Sequence, residues 1–61
     1  MKVKKLLKKC FSNQTVVIMC DNEVLYRDEY AYGDFSYYEN AKVQFICSNI
    51  SDELVIHIYG Q

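Results

Sequence analysis

The sequence predicts a small α+β domain: an N-terminal amphipathic helix packed on an antiparallel sheet of about four strands, built from two β-hairpins joined by an aromatic crossover. Three observations predict it. The chain opens with Val3, Leu6, Leu7, Cys10 and Phe11 at the spacing of one helix face. Residues 15–27 and 42–59 are rich in β-branched and aromatic side chains, and a short polar break interrupts each. Residues 28–41 between them show no period and are dense in tyrosine.

Lys2, Lys4, Lys5, Lys8 and Lys9 occupy the rest of the opening helix, and Ser12-Asn13-Gln14 ends it. A helix this short is marginal alone, so its apolar stripe needs a sheet to lie on. Thr15 to Cys20 follows as a strand whose Val16, Val17, Ile18, Met19 and Cys20 are all apolar. That pattern fits a central strand covered on both sides, or one whose second face meets a partner. Asp21-Asn22-Glu23 signals a tight turn, and Val24 to Arg27 returns as the second strand. A two-residue loop would place Met19 and Val24 on one face, a three-residue loop Cys20 and Val24; the residues leave both registers open.

In the crossover, Gly33-Asp34 marks a break, and Asp34 or Ser36 is suited to cap a single helical turn. The second hairpin carries the clearest alternation. Val43, Phe45 and Cys47, then Leu54, Ile56 and Ile58, are expected to form its core face, separated by Asn49-Ile50-Ser51-Asp52. Ile46, Val55 and Tyr59, with Val17 and Met19 or their neighbours, would then leave an apolar patch on the face without the helix. Monomers seldom expose such a patch, so a homodimer burying Val17, Met19, Ile46, Val55 and Tyr59 about a two-fold axis is expected. The other expectation is that the crossover folds over that face.

With 61 residues the chain is at most one domain with a thin core. No proline and only two glycines argue against linkers and disordered tails. The net charge of −1 conceals +5 in residues 1–9 and −6 in the remainder. The surface is then either polarised, or the two parts neutralise each other. An odd count of three widely spaced cysteines fits reduced thiols rather than a disulfide framework. No run approaches the ~20 apolar residues of a membrane span. A cytoplasmic protein without membrane contact is the expectation.

The chemistry-bearing residues point away from catalysis and metal binding. His57 should face opposite Ile56 and Ile58 while Cys47 lies on the core side, and no C-x-x-C or H-x-x-x-H spacing exists. No metal and no cofactor is expected. Cys10 sits on the buried stripe near a helix end that disfavours a thiolate, and the acids are scattered. The chain reads as no enzyme. One arginine is a poor endowment for nucleic acid, and the crossover aromatics stand among acids. Five aromatics within nine residues, Tyr30, Tyr32, Phe35, Tyr37 and Tyr38, exceed what so small a core needs. Tyr26, Tyr32 and Phe35 are the candidates to roof the core, and the others suit an interface.

Met1-Lys2-Val3-Lys4-Lys5-Leu6-Leu7, Val16-Val17-Ile18 followed by Val24-Leu25-Tyr26, and the closing Leu54-Val55-Ile56-His57-Ile58 resemble short phage and mobile-element proteins of Gram-positive bacteria. Arg27-Asp28-Glu29 stands where that group often has a glycine. The resemblance implies a phage accessory protein, of the kind that includes anti-CRISPR and other anti-defence inhibitors. It would act in the bacterial host cell on a larger host protein, such as a nuclease. Asp28, Glu29, Asp34 and Glu39 would then supply charge complementary to a basic groove, and Tyr30, Tyr37 and Tyr38 contact area. The alternative is a small nucleic-acid-binding regulator using Lys4, Lys5 and Lys8, and a third is a structural subunit of a phage particle.

Overall fold

The structure, a computed structural model, describes residues 1–49 and 51–60. One short helix, α1 (Val3–Leu7), precedes strands β1 (Thr15–Cys20), β2 (Glu23–Glu29), β3 (Val43–Ser48) and β4 (Leu54–Ile58), with a single 3₁₀ turn at Ser36–Tyr38. The α+β reading holds, and the two hairpins form where the sequence places them. The sheet, however, is mixed rather than antiparallel. Its order is β2-β1-β4-β3, and β1 and β4 run parallel at its centre, with Ile18 opposite Ile56. Hairpins are specified by local turns, whereas the pairing between hairpins depends on which strands tolerate burial on both sides. β1 and β4 are those strands: Val16, Val17 and Ile18, and likewise Val55 and Ile56, are buried consecutively.

The first turn settles the open register. Asp21 and Asn22 have φ of 52° and 65°, and Cys20 pairs with Glu23, so the loop is the two-residue type with both residues left-handed. Two bulges then decide the faces. On β2 the extra residue is Leu25, between Val24 opposite Met19 and Tyr26 opposite Ile18. On β3 it is Gln44, between Val43 opposite Ile58 and Phe45 opposite His57. A bulge shifts the alternation by one residue. Phe45 and Cys47, expected in the core, therefore lie with His57 and Val55 on the other face. Ile46 pairs with Ile56 and belongs to the helix-side face rather than the far one.

That helix-side face carries the core. Val3, Leu7, Val16, Ile18, Phe35, Ile56 and Ile58 form one buried cluster, each fully buried aliphatic side chain contributing about 1.5–3 kcal/mol. The helix is shorter than its apolar spacing suggests, and Phe11, on the expected stripe, is 78% exposed. Residues 12–14 are drawn away to prolong the first hairpin: Tyr30 N–H donates to Gln14 O (2.9 Å) and Ala31 N–H to Ser12 O (3.0 Å). No side chain caps α1. Instead Val3 N–H donates to Ala41 O and Lys4 N–H to Glu39 O, each at 3.0 Å, so the crossover satisfies two of its free donors. α1 is thus held by tertiary contacts, not by its own propensity.

Candidate interaction surfaces

Two surfaces emerge: the aromatic, acidic crossover on the helix side and the opposite face of the sheet. In the crossover, Gly33 N–H donates to Glu29 O (2.8 Å), turning the chain back over β2. A Cβ at Gly33 would come within 2.7 Å of the Phe35 ring and 2.9 Å of Asp28 Cβ, so the close approach requires glycine. Phe35 enters the core. Tyr26 meets it edge-on at 5.0 Å between ring centroids, and Tyr30 and Tyr38 complete the roof, at 6.2 Å from Phe35 and from Tyr26 respectively.

Of the expected contact tyrosines, only Tyr37 stands clear of the fold, at 87% exposure. Tyr30 and Tyr38 are half-buried in the roof. Tyr32, expected to help cover the core, is instead 81% exposed. The two places exchange because Gly33 turns the chain between Tyr32 and Phe35, leaving Tyr32 on the outside of the bend.

The acids fall into two groups. Asp28, Glu29 and Asp34 gather about the Gly33 turn. The Asp34 carboxylate accepts from Ser36 N–H (3.1 Å) and Ser36 Oγ–H (2.6 Å), and its own backbone N–H donates to the Tyr26 hydroxyl (2.8 Å). The Ser36 bonds hold the Asp34 carboxyl below the usual range, so its charge persists into acid. Glu39 lies apart, sharing a groove of about 390 Å³ with Asp34, Lys4 and Lys8. The lysine helix and the acidic crossover therefore adjoin each other there, and of the four acids Asp28 and Glu29 lie outside that groove.

The opposite face of the sheet carries Val17, Met19, Val55, His57, Phe45 and Cys47; on it Val17 and Val55 are buried, at 4% and 6% exposure, while Phe45 is 51% exposed. At one end Glu53, 8% exposed, receives Arg27 as an ion pair and Asn49 Nδ2–H at 2.7 Å. The Asn49 bond first, and then Arg27, hold its carboxyl low. Asn49 also accepts from the backbone N–H groups of Ser51 and Glu53, closing the β3–β4 connection; Ile50 lies outside the described residues. Of the five residues expected at a dimer interface, Val17, Met19 and Val55 lie on this face, but Val17 and Val55 are already buried within the single chain, which leaves Met19 partly accessible. Ile46 does not, and Tyr59 lines a separate groove with Leu25, Tyr37 and Tyr38.

Cys47 and His57, expected on opposite faces, are neighbours here because of the β3 bulge. Cys47 Sγ is 3.8 Å from His57 Nε2, and the Phe45 ring stacks on the imidazole at 4.1 Å. The other thiols differ: burial pushes Cys10 up, and burial and then Asp21 push Cys20 up. All three cysteines are free. No helix among the described residues is long and apolar enough to cross a membrane. Comparison with protein families, curated proteins and solved structures gave no match.

Proposed function

We propose that this chain is a non-enzymatic interaction protein, a phage-encoded inhibitor that occludes a basic, nucleic-acid-binding surface of a larger host defence protein such as a CRISPR nuclease. Its site of action on this reading is the cytoplasm of the bacterial host. The observation that carries the reading is the exposed edge of the crossover. Glu29 and Asp34 present charge there, Tyr32 and Tyr37 stand almost wholly in solvent, and a packed aromatic roof holds the backbone beneath them. Exposed tyrosines beside carboxylates combine contact area with complementarity to arginine and lysine. Asp28 adds to this edge, while Tyr30, Tyr38 and Glu39 support it from partly buried positions. A pairing of two copies over the far sheet face would use Met19, since Val17 and Val55 are already buried within one chain, and would leave the crossover of each copy outward.

The direct test is a double charge reversal, Glu29→Lys with Asp34→Lys, alongside Asp34→Asn as a milder control. Loss of the captured partner with an unchanged circular dichroism spectrum is expected. Undiminished capture by a folded double variant would remove the crossover from the mechanism.

A second reading has its own observation. Lys2, Lys4, Lys5, Lys8 and Lys9 are all exposed, and the ion pair found among the described residues, Arg27–Glu53, involves none of them. A nucleic-acid regulator built on these lysines would give a salt-sensitive gel shift lost on replacing Lys4, Lys5 and Lys8. No retardation at low salt removes it.

A further inference from the structure

We propose that the outer edge of β3 is a docking strand for a second copy of this chain, the two β3 strands pairing antiparallel about a two-fold axis at Ile46. No residue of this edge belongs to the acidic crossover, and the pairing stands apart from the inhibitor reading.

β3 ends the sheet, so its outward N–H and C=O groups face no further strand. The chain itself begins to fill this edge. Lys2 forms an antiparallel bridge with Lys42, and Val43 N–H donates to Met1 O at 2.8 Å. Residues 1–2 thus cover one end. Beyond them, among the described residues, no backbone group bonds to the outer side of residues 44–48. The Gln44 bulge lies beside the covered end, and from Phe45 to Ser48 the register with β4 is regular. A regular, unpaired edge is a template for one more strand.

The side chains say which strand. No residue of Val43–Ser48 is charged and none is proline, the two devices that commonly guard an edge. Phe45 and Ile46 stand half-exposed, one on each face of the sheet. The other edge is guarded. There β2 carries Glu23, Arg27, Asp28 and Glu29, and self-pairing centred at Tyr26 would set Glu23 against Glu29 of the second copy.

Symmetry then fixes the register. Directly opposed residues share a face, so a two-fold axis normal to the sheet requires one residue to meet itself. Centred on Phe45, the pair would run into Met1, which already occupies Val43. Centred on Cys47, it would run past the end of β3 at Ser48. Centred on Ile46, it joins residues 44–48 of both copies and stops where residues 1–2 cover each edge. Ile46 then meets Ile46 on the helix side, and Phe45 meets Cys47 on the other, at the roughly 4.5–5.5 Å Cβ spacing of opposed residues. The exposed apolar side chains of β3 are covered, and no charge opposes another.

Sedimentation of the reduced full chain over a concentration series tests the proposal. So short a strand pair buries less than the roughly 1,200 Å² of a standard interface, so the series runs from about 10 μM to about 1 mM. The expected result is an approach to twice the 7.2 kDa monomer mass. Ile46→Lys sets two lysines face to face at a position already exposed, and should weaken the dimer about tenfold. Met19→Lys on the sheet face, Leu25→Lys on the other edge, and Glu29→Lys with Asp34→Lys should leave it unchanged. Circular dichroism checks that each variant folds. Amide hydrogen exchange at alternate residues of 44–48 should slow as concentration rises. A monomer at every concentration overturns the second copy as occupant and leaves the edge to an extended segment of another protein. A dimer that Ile46→Lys leaves intact, that Met19→Lys dissolves, or that leaves exchange at 44–48 unchanged places the contact elsewhere and overturns the edge pairing. Assembly beyond a dimer overturns the closed two-fold.

Discussion

Gly33 sits where a methyl group has no room, since its Cβ would approach the buried Phe35 ring to 2.7 Å. Gly33→Ala is therefore expected to cost about 1–3 kcal/mol, the usual penalty for overpacking, measured by urea denaturation. Tyr26→Phe separates the ring from the hydroxyl. It keeps the edge-on contact with Phe35 but removes the acceptor of Asp34 N–H, so a loss of about 0.5–1.5 kcal/mol is expected in the same experiment. Asp34 and Glu53 have folded-state pKa values below their ordinary ones of 3.8 and 4.5. Groups depressed in this way stabilise the fold above the unfolded pKa and lose that contribution as pH falls through the folded value. The melting temperature should hold from neutral pH to about pH 5 and then fall as both carboxylates protonate. Asn49→Ala should raise the Glu53 pKa, which NMR titration of its carboxyl carbon reads directly. The residue types in the crossover were legible: a break at Gly33-Asp34 and more aromatics than the core needs. Which tyrosines face outward was not, because the Gly33 turn decides it and no periodicity marks that turn.

At the scale of elements, the β1–β2 turn places both Asp21 and Asn22 in the left-handed region. Glycine is the preferred second residue of such a turn. Asn22→Gly should therefore stabilise the chain by a few tenths to about 1 kcal/mol, seen as a higher midpoint in denaturant with an unchanged slope. The strands themselves were readable from composition and alternation. Their faces in the second hairpin were not: the extra residue Gln44 moves Phe45 and Cys47 across the sheet, and nothing in Val43-Gln44-Phe45 distinguishes a bulge from regular alternation. The helix shows the opposite difficulty. Its spacing continues to Phe11, but hydrogen bonds from residues 30 and 31 to residues 12 and 14 compete with further winding, and that competition is invisible to a local pattern.

The whole molecule is two layers, with the helix and crossover on one face of a mixed sheet and the Arg27–Glu53 ion pair at one end of the other. β1, apolar from Val16 to Cys20, fitted a central strand or one whose second face meets a partner; its parallel partner β4 gave no such sign, since long-range pairing leaves no local mark. Ile18 and Ile56 meet at that junction, both fully buried. Ile18→Ala should cost about 2–5 kcal/mol, enough to unfold so small a domain, and loss of the cooperative melt in calorimetry reads it. The same two-layer plan leaves the acidic edge of the crossover free to meet a partner. The most direct test of that role is an affinity pull-down of the tagged chain from a bacterial lysate, with and without nuclease, compared with the Glu29→Lys, Asp34→Lys variant. One large protein retained after nuclease treatment and absent with the variant is the expected result. Enrichment that vanishes with nuclease, or that the variant retains in full, contradicts it.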